Sequence, residues 1–206
     1  MSYSFARTKY QSIKKRSFES FLDLFLICTY INDKSLLSAN IESFQLFNYN
    51  DLRIPKALGA YQLAKNTNEF CDVPVSDLDK AIKNWQDSNN HINYRNIFNE
   101  DKMIGEPEFN DFYGEDKSDR ECYYCNIKES DIQSLYKSKL LQTKRLSTRG
   151  FKMEVDRLSP NEGYVRDNIV LCCYWCNNAK TDEFSAEEFR PIGELIGQTL
   201  KNRLNK

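Results

Sequence analysis

The chain has 206 residues, 29 of them basic and 30 acidic, for a net charge of −1. That length allows one or two domains with a sizeable core. The charge balance excludes a global basic field as the means of holding nucleic acid, so any such attraction falls to local patches. Seven cysteines, four of them in two Cys-x-x-Cys pairs, fit a reduced compartment with a metal better than a disulfide scaffold.

Residues 1–20 carry Arg7, Lys9, Lys14, Lys15 and Arg16 against Glu19 alone. They read as a solvated helix face or a frayed terminus before they read as a phosphate contact. No signal peptide is expected from this polar, basic opening. Phe18, Phe21, Leu22, Phe25, Leu26 and Thr29 recur at helical spacing and predict a buried helix, with Cys28 as a small core residue. Phe21 to Ile31 is too short an apolar run to span a bilayer, and Asp23 interrupts it. The expectation is a soluble, intracellular (cytoplasmic) protein without a membrane segment.

Pro55, Gly59 and Pro74 punctuate residues 33–75 and predict several short helices. Ser76 is the predicted N-cap of a further helix, with Ala81, Ile82 and Trp85 on one face. Cys71 has no Cys or His near it in sequence and reads as inert. His91, the only histidine, lies in a polar, Asn-rich stretch and reads as a surface or capping residue. Residues 98–119 hold Glu100, Asp101, Glu106, Glu108, Asp111, Glu115, Asp116 and Asp119 among Gly105, Pro107 and Gly114. This predicts a linker or loop-rich boundary.

Cys122-x-x-Cys125 follows, then Ser130 as predicted N-cap of a helix to about Leu141. From Lys137 to Lys152 the chain carries Lys137, Lys139, Lys144, Arg145, Arg149 and Lys152 and no acid. The run is either a solvated face or a phosphate-binding surface. Lys152 to Leu158 alternates apolar and polar side chains as a half-buried strand does, Ser159 to Gly163 is turn chemistry, and Asn168 to Cys173 reads as a second strand. Cys173-x-x-Cys176 then turns into a helix. Four thiolates in two such pairs can surround Zn²⁺ tetrahedrally and leave no open position for chemistry, so that zinc is structural. Cys172 should point to the other face of its strand. Ser185-Ala-Glu-Glu188 is a capping box, and Phe189, Ile192, Leu195, Ile196 and Leu200 form the predicted apolar stripe of a last helix.

The order Asp156-Arg157, Gly163-Tyr164, Asn168, Cys173-x-x-Cys176-Asn177-x-x-Lys180 resembles the HNH endonuclease family, whose ββα-metal fold wraps one divalent cation. It is closest to the zinc-knuckle, HNH-like proteins of phages and large viruses. The likeness covers roughly the last third to two-fifths of the chain, on the scale of one domain. The resemblance implies that Asp156 and Asn177 ligate the catalytic cation and that Asn168 fixes the loop between the strands. A carboxylate, an amide oxygen and waters suit Mg²⁺ or Mn²⁺. Arg157 stands where the family usually has its His base. An arginine stays protonated, so it can clamp a phosphate or stabilise a transition state but cannot take a proton. Tyr164, Glu162, Glu154 and His91 are the other groups weighed for activating water.

The sequence therefore predicts an α+β chain. A mainly helical region spans residues 1–115, followed at 116–206 by a zinc-stapled ββα-metal module with a C-terminal helix. The expected function is metal-dependent hydrolysis of DNA, with RNA as the other candidate substrate. Lys137, Lys139, Lys144, Arg145, Arg149, Lys152 and Lys180 would hold the backbone, and the N-terminal region would recognise a target, a protein partner or a second copy. The competing expectations are an inactive nucleic-acid-binding module and a zinc-stapled protein-interaction domain.

Overall fold

A computed structural model describes residues 5–67, 69–70, 73–89, 91–114, 119–141 and 149–205. Cys71, Glu115, Asp116, Lys144 and Arg145 lie outside the described residues. The chain divides into two compact units, residues 7–106 and residues 107–206 together with 1–6. Helices dominate, with two small antiparallel sheets among the described residues, so the fold is α+β.

In the first unit, α1 (Phe5–Asp33) buries Phe18, Phe21, Leu22, Phe25, Leu26, Cys28 and Thr29, as its spacing predicts. Phe21 is the hub of this core. Its ring lies 5.5 Å from Phe44, 5.2 Å from Phe47, 4.8 Å from Tyr49 and 5.3 Å from Phe98. Helix α2 (Ile41–Leu46) starts at a reciprocal cap, Asn40 Oδ1 accepting from Ser43 N at 3.0 Å and Ser43 Oγ accepting from Asn40 N at 3.1 Å. Helix α3 (Ile54–Thr67) leads to strands β1 (Glu69–Phe70) and β2 (Val73–Pro74), which pair antiparallel.

Two sequence expectations change over residues 74–113. Helix α4 (Val75–Ser88) starts one residue before Ser76, with Pro74 at the cap position and no side-chain cap, because β2 delivers the chain into the helix already extended. The acidic stretch does contain the boundary between the two units, at Glu106, but among the described residues it is helical and not loop-rich: it finishes α5 (His91–Asp101) and forms α6 (Glu106–Tyr113). The acids mask buried apolar residues on each helix, Phe98 in α5 and, one turn apart, Phe109 and Tyr113 in α6. His91 begins α5 and stacks on Trp85 with ring centroids 6.2 Å apart.

In the second unit, α7 (Glu129–Lys137) begins at Glu129, not after a Ser130 cap. Asp119 Oδ1 instead accepts from Ser130 N at 3.2 Å. The helix ends at Lys137, short of Leu141, where Lys139 takes a left-handed conformation (φ 59) and Leu140 N turns back to Leu135 O at 2.9 Å. A buried ion pair fastens this start: Arg120 donates to both oxygens of Glu129 at 3.1 and 2.6 Å, and Glu129 accepts from Met153 N at 2.8 Å. Strand β3 (Glu154–Arg157) pairs antiparallel with β4 (Ile169–Cys172), Glu154 opposite Cys172 and Asp156 opposite Val170. A short 3-10 turn, Arg166–Asn168, enters β4, and α8 (Tyr174–Lys180) leaves it.

Helix α9 (Ala186–Leu204) has the predicted capping box, Ser185 Oγ accepting from Glu188 N at 3.3 Å and Glu188 Oε2 from Ser185 N at 2.9 Å. Its buried face differs from the predicted stripe. Ile192 and Leu195 are 41% and 63% exposed, whereas Gly193 and Gly197 are buried with Phe189 and Leu200. The reason is a close backbone approach: a Cβ on Gly197 would lie 2.3 Å from Cys125 O, and one on Gly193 2.7 Å from Tyr124 Cβ. No helix among the described residues is long and apolar enough to cross a membrane.

Candidate metal centre and the strand face beside it

The first cysteine pair sits on a tight turn. Cys122 N donates to Ile127 O at 3.0 Å, Asn126 N to Cys122 O at 2.9 Å, and Asn126 supplies the left-handed residue (φ 53). The second pair caps α8, where Cys173 Sγ accepts from Cys176 N at 3.5 Å. Tyr123 N bonds Leu171 O at 2.9 Å, which brings the two turns together. The four sulfurs are buried and lie within 4.8 Å of one another, with Cys125 and Cys173 3.7 Å apart. A tetrahedron of Zn–S bonds about 2.3 Å long has edges of about 3.8 Å, which the Cys125–Cys173 edge matches, and the four sulfurs are close enough to share one such ion. Donation from Cys125, Cys173 and Cys176 holds the Cys122 thiol far below its usual pKa, while donating to Cys122 raises Cys173 and Cys176. The cage by itself thus favours a sulfur anion at Cys122 alone, with Cys173 and Cys176 as the thiols that donate to it, and a bound zinc would take them as thiolates. Cys172 is buried next door but outside the group, and burial pushes its thiol up.

Beside the cage, β3 turns two carboxylates, Glu154 and Asp156, to one face, because they are two residues apart. Both are buried, at 2% and 8% exposure. Helix α8 packs against β3 and meets each with a side chain from successive turns. Asn177 Nδ2 donates to Glu154 Oε2 at 2.5 Å, and Lys180 Nζ lies 3.3 Å from Asp156 Oδ2. Arg149 grips both oxygens of Glu154 and stacks on Tyr174, its guanidinium 5.2 Å from the ring. The knuckle supplies a further contact: Tyr124, between Cys122 and Cys125, donates its hydroxyl to Asp156 Oδ2 at 2.7 Å. Burial, then this bond, drives the Tyr124 pKa upward, so the phenol remains a donor.

Two oxygens on this face stay unengaged. Asp156 Oδ1 and Asn177 Oδ1 accept no hydrogen bond among the described residues. Arg157, which follows Asp156, pairs with exposed Asp182 at 2.6 Å and lies 5.1 Å over the Tyr164 ring. Asn168 ties the loop between the strands. Its Oδ1 accepts from Ser159 N at 2.8 Å, and its Nδ2 donates to Ser159 O and Gly163 O, each at 3.0 Å.

The basic residues separate. Lys137 and Lys139 are exposed, and Lys152 lies 5.3 Å over the Phe5 ring. Arg149 is taken up by Glu154. Lys180 is not on the surface at all: it is 1% exposed and also donates to Arg157 O at 2.8 Å. It cannot meet a phosphate backbone there. Sequence reasoning passed over Tyr124 and the anchoring role of Glu154. The signal for Glu154 was its spacing, two residues before Asp156 on an alternating strand.

No protein-family model matches the chain, and no curated protein matches it. The chain is similar to a solved structure of the rare-cutting HNH restriction endonuclease PacI, at 30% identity and TM-score 0.42, over 59% of this chain and 79% of that chain.

Proposed function

We propose that the chain is a metal-dependent endonuclease of the HNH type that hydrolyses phosphodiester bonds in DNA. The observation that carries the reading is the pair of unengaged oxygens, Asp156 Oδ1 and Asn177 Oδ1, on a β–β–α element stapled by four thiols. One carboxylate and one carboxamide oxygen suit a hard cation that keeps several waters. Mg²⁺ or Mn²⁺, held by Asp156 and Asn177, would polarise the scissile phosphate and ease ionisation of water.

The chain's own groups supply the rest. Tyr124 and Lys180 both engage Asp156 Oδ2 and so hold the carboxylate, and Lys180 also holds the end of β3 through the Arg157 carbonyl. Arg157 exchanges its exposed partner Asp182 for a phosphate oxygen, which its planar guanidinium binds in two-pronged fashion. Tyr164 backs that guanidinium, and Asn168 keeps the loop closed around it. Glu154 does not serve as base, because Arg149 and Asn177 occupy its carboxylate. Lys137, Lys139, Lys144, Arg145 and Lys152 hold the strand by charge.

One observation favours a second reading, a nucleic-acid-binding module without catalysis: Asp156 already carries an internal cation, Lys180. Plasmid nicking by zinc-loaded protein with Mg²⁺ or Mn²⁺ separates the two. The nuclease nicks, and Asp156→Ala reduces nicking to background. Salt-dependent DNA binding that persists in Asp156→Ala, with no cleavage under any divalent cation, selects the binding module.

A further inference from the structure

Asn177 is useful to a cation only with its oxygen outward. A carboxamide has a donor end and an acceptor end of nearly the same shape, and either can face a cavity. The end turned inward is set by its partner. Here that partner is Glu154, whose two carboxyl oxygens both accept from Arg149 and so present an acceptor, which admits Nδ2 and excludes Oδ1. Glu154 itself cannot swing away. It is 2% exposed, its backbone is paired opposite Cys172, and Arg149 holds both its oxygens. No other side-chain bond competes for the Asn177 amide among the described residues.

We infer that Glu154, locked by Arg149, is a positioning residue that fixes the Asn177 carboxamide with its oxygen toward the divalent cation. The inference rests on the nuclease reading of this face and deepens it. In Glu154→Gln the side chain keeps its shape but gains a donor. Either end of the new amide can then meet Asn177, which loses its single orientation. The cation site keeps both ligand residues and loses the alignment of one of them.

The test measures Mn²⁺ binding to the zinc-loaded full chain from the resonance of free Mn²⁺. Melting curves and the side-chain amide spectrum of ¹⁵N-labelled protein, recorded without Mn²⁺, accompany it. The wild type binds Mn²⁺ at a site that Asp156→Ala removes. Glu154→Gln melts within a few degrees of wild type yet binds Mn²⁺ about tenfold more weakly, and the Asn177 Nδ2 protons lose their slow exchange. In nicking assays it needs more Mn²⁺ for half-saturation but approaches the wild-type rate at saturation. Affinity within about twofold of wild type in a folded Glu154→Gln protein overturns the inference and leaves the nuclease reading standing. No Mn²⁺ site lost in Asp156→Ala sinks that reading, and this inference with it. Should Glu154→Gln fail to fold, the wild-type spectrum decides. Asn177 amide protons that exchange as fast as those of an exposed side chain overturn the claim.

Discussion

The two units reach stability by different means. Residues 7–106 are held by aromatic rings, with Phe21, Phe25, Phe44, Phe47 and Phe98 all buried and in mutual contact. The interior of residues 107–206 is far more polar. It holds four thiols and the ion pairs Arg120–Glu129, Arg149–Glu154 and Lys180–Asp156. Strands of four residues cannot stand alone. The four-thiol cage, which could hold a zinc ion, and buried charge pairs brace them, and such pairs fix geometry more than they stabilise. The first unit tolerates repacking of similar volumes, while the second depends on particular atoms meeting.

Zinc removal should break this contrast open. Chelation, or Cys176→Ser, forfeits a metal whose binding is worth on the order of 10 kcal/mol in small peptides, so the second unit unfolds. Burial raises the Cys28 thiol to about 11 and keeps it unreactive while the first unit stays folded. Alkylation after chelation should therefore label the four cage thiols and Cys172 and spare Cys28. Labelling of Cys28 at the same rate would show that the units do not differ in this way.

Next in size is Lys180→Met. It leaves the buried Asp156 carboxylate and the Arg157 carbonyl without their cation, at a cost of about 3–5 kcal/mol in denaturant unfolding. A smaller and sharper pair uses glycine. Gly197→Ala meets Cys125 O and should cost about 1–3 kcal/mol. Gly59, inside α3, has nothing within 4 Å of its virtual Cβ, so Gly59→Ala should stabilise by about 0.5–1 kcal/mol. Equal effects at the two positions would erase the distinction between a packed backbone contact and an open helix face.

A comparably small effect, this one dependent on pH, is at the α9 cap. The backbone bond from Ser185 depresses the Glu188 pKa. A carboxylate lowered on folding stabilises above its unfolded pKa, and that contribution fades as pH falls through the folded value. Glu188→Gln should lower the melting temperature slightly at neutral pH and match wild type in acid. Ser185→Ala should cost about 1 kcal/mol.

Local chemistry was legible where one residue type has one use. Paired cysteines announced the cage, Ser185 and Glu188 their box, and the Phe18-to-Thr29 periodicity its buried face. Legibility failed where the partner lies far along the chain. The acidic run over 98–119 looked like a connector because charge on a helix surface and charge in a loop read alike. Ile192 and Leu195 looked like core because nothing local reveals that Gly193 and Gly197 meet another backbone.

The sequence alone determined which atoms the proposed metal chemistry would use: four sulfurs in two turns, a strand carboxylate, and an amide on the helix that follows. Only the folded chain decided what each faces, namely Asp156 against Tyr124 and Lys180, Asn177 against Glu154, and Lys180 inside. The reason is physical. Turn geometry and helix periodicity act over a few residues, whereas Tyr124 reaches Asp156 across 32 positions and Asn177 reaches Glu154 across 23. Such meetings exist only once β3, β4 and α8 have packed.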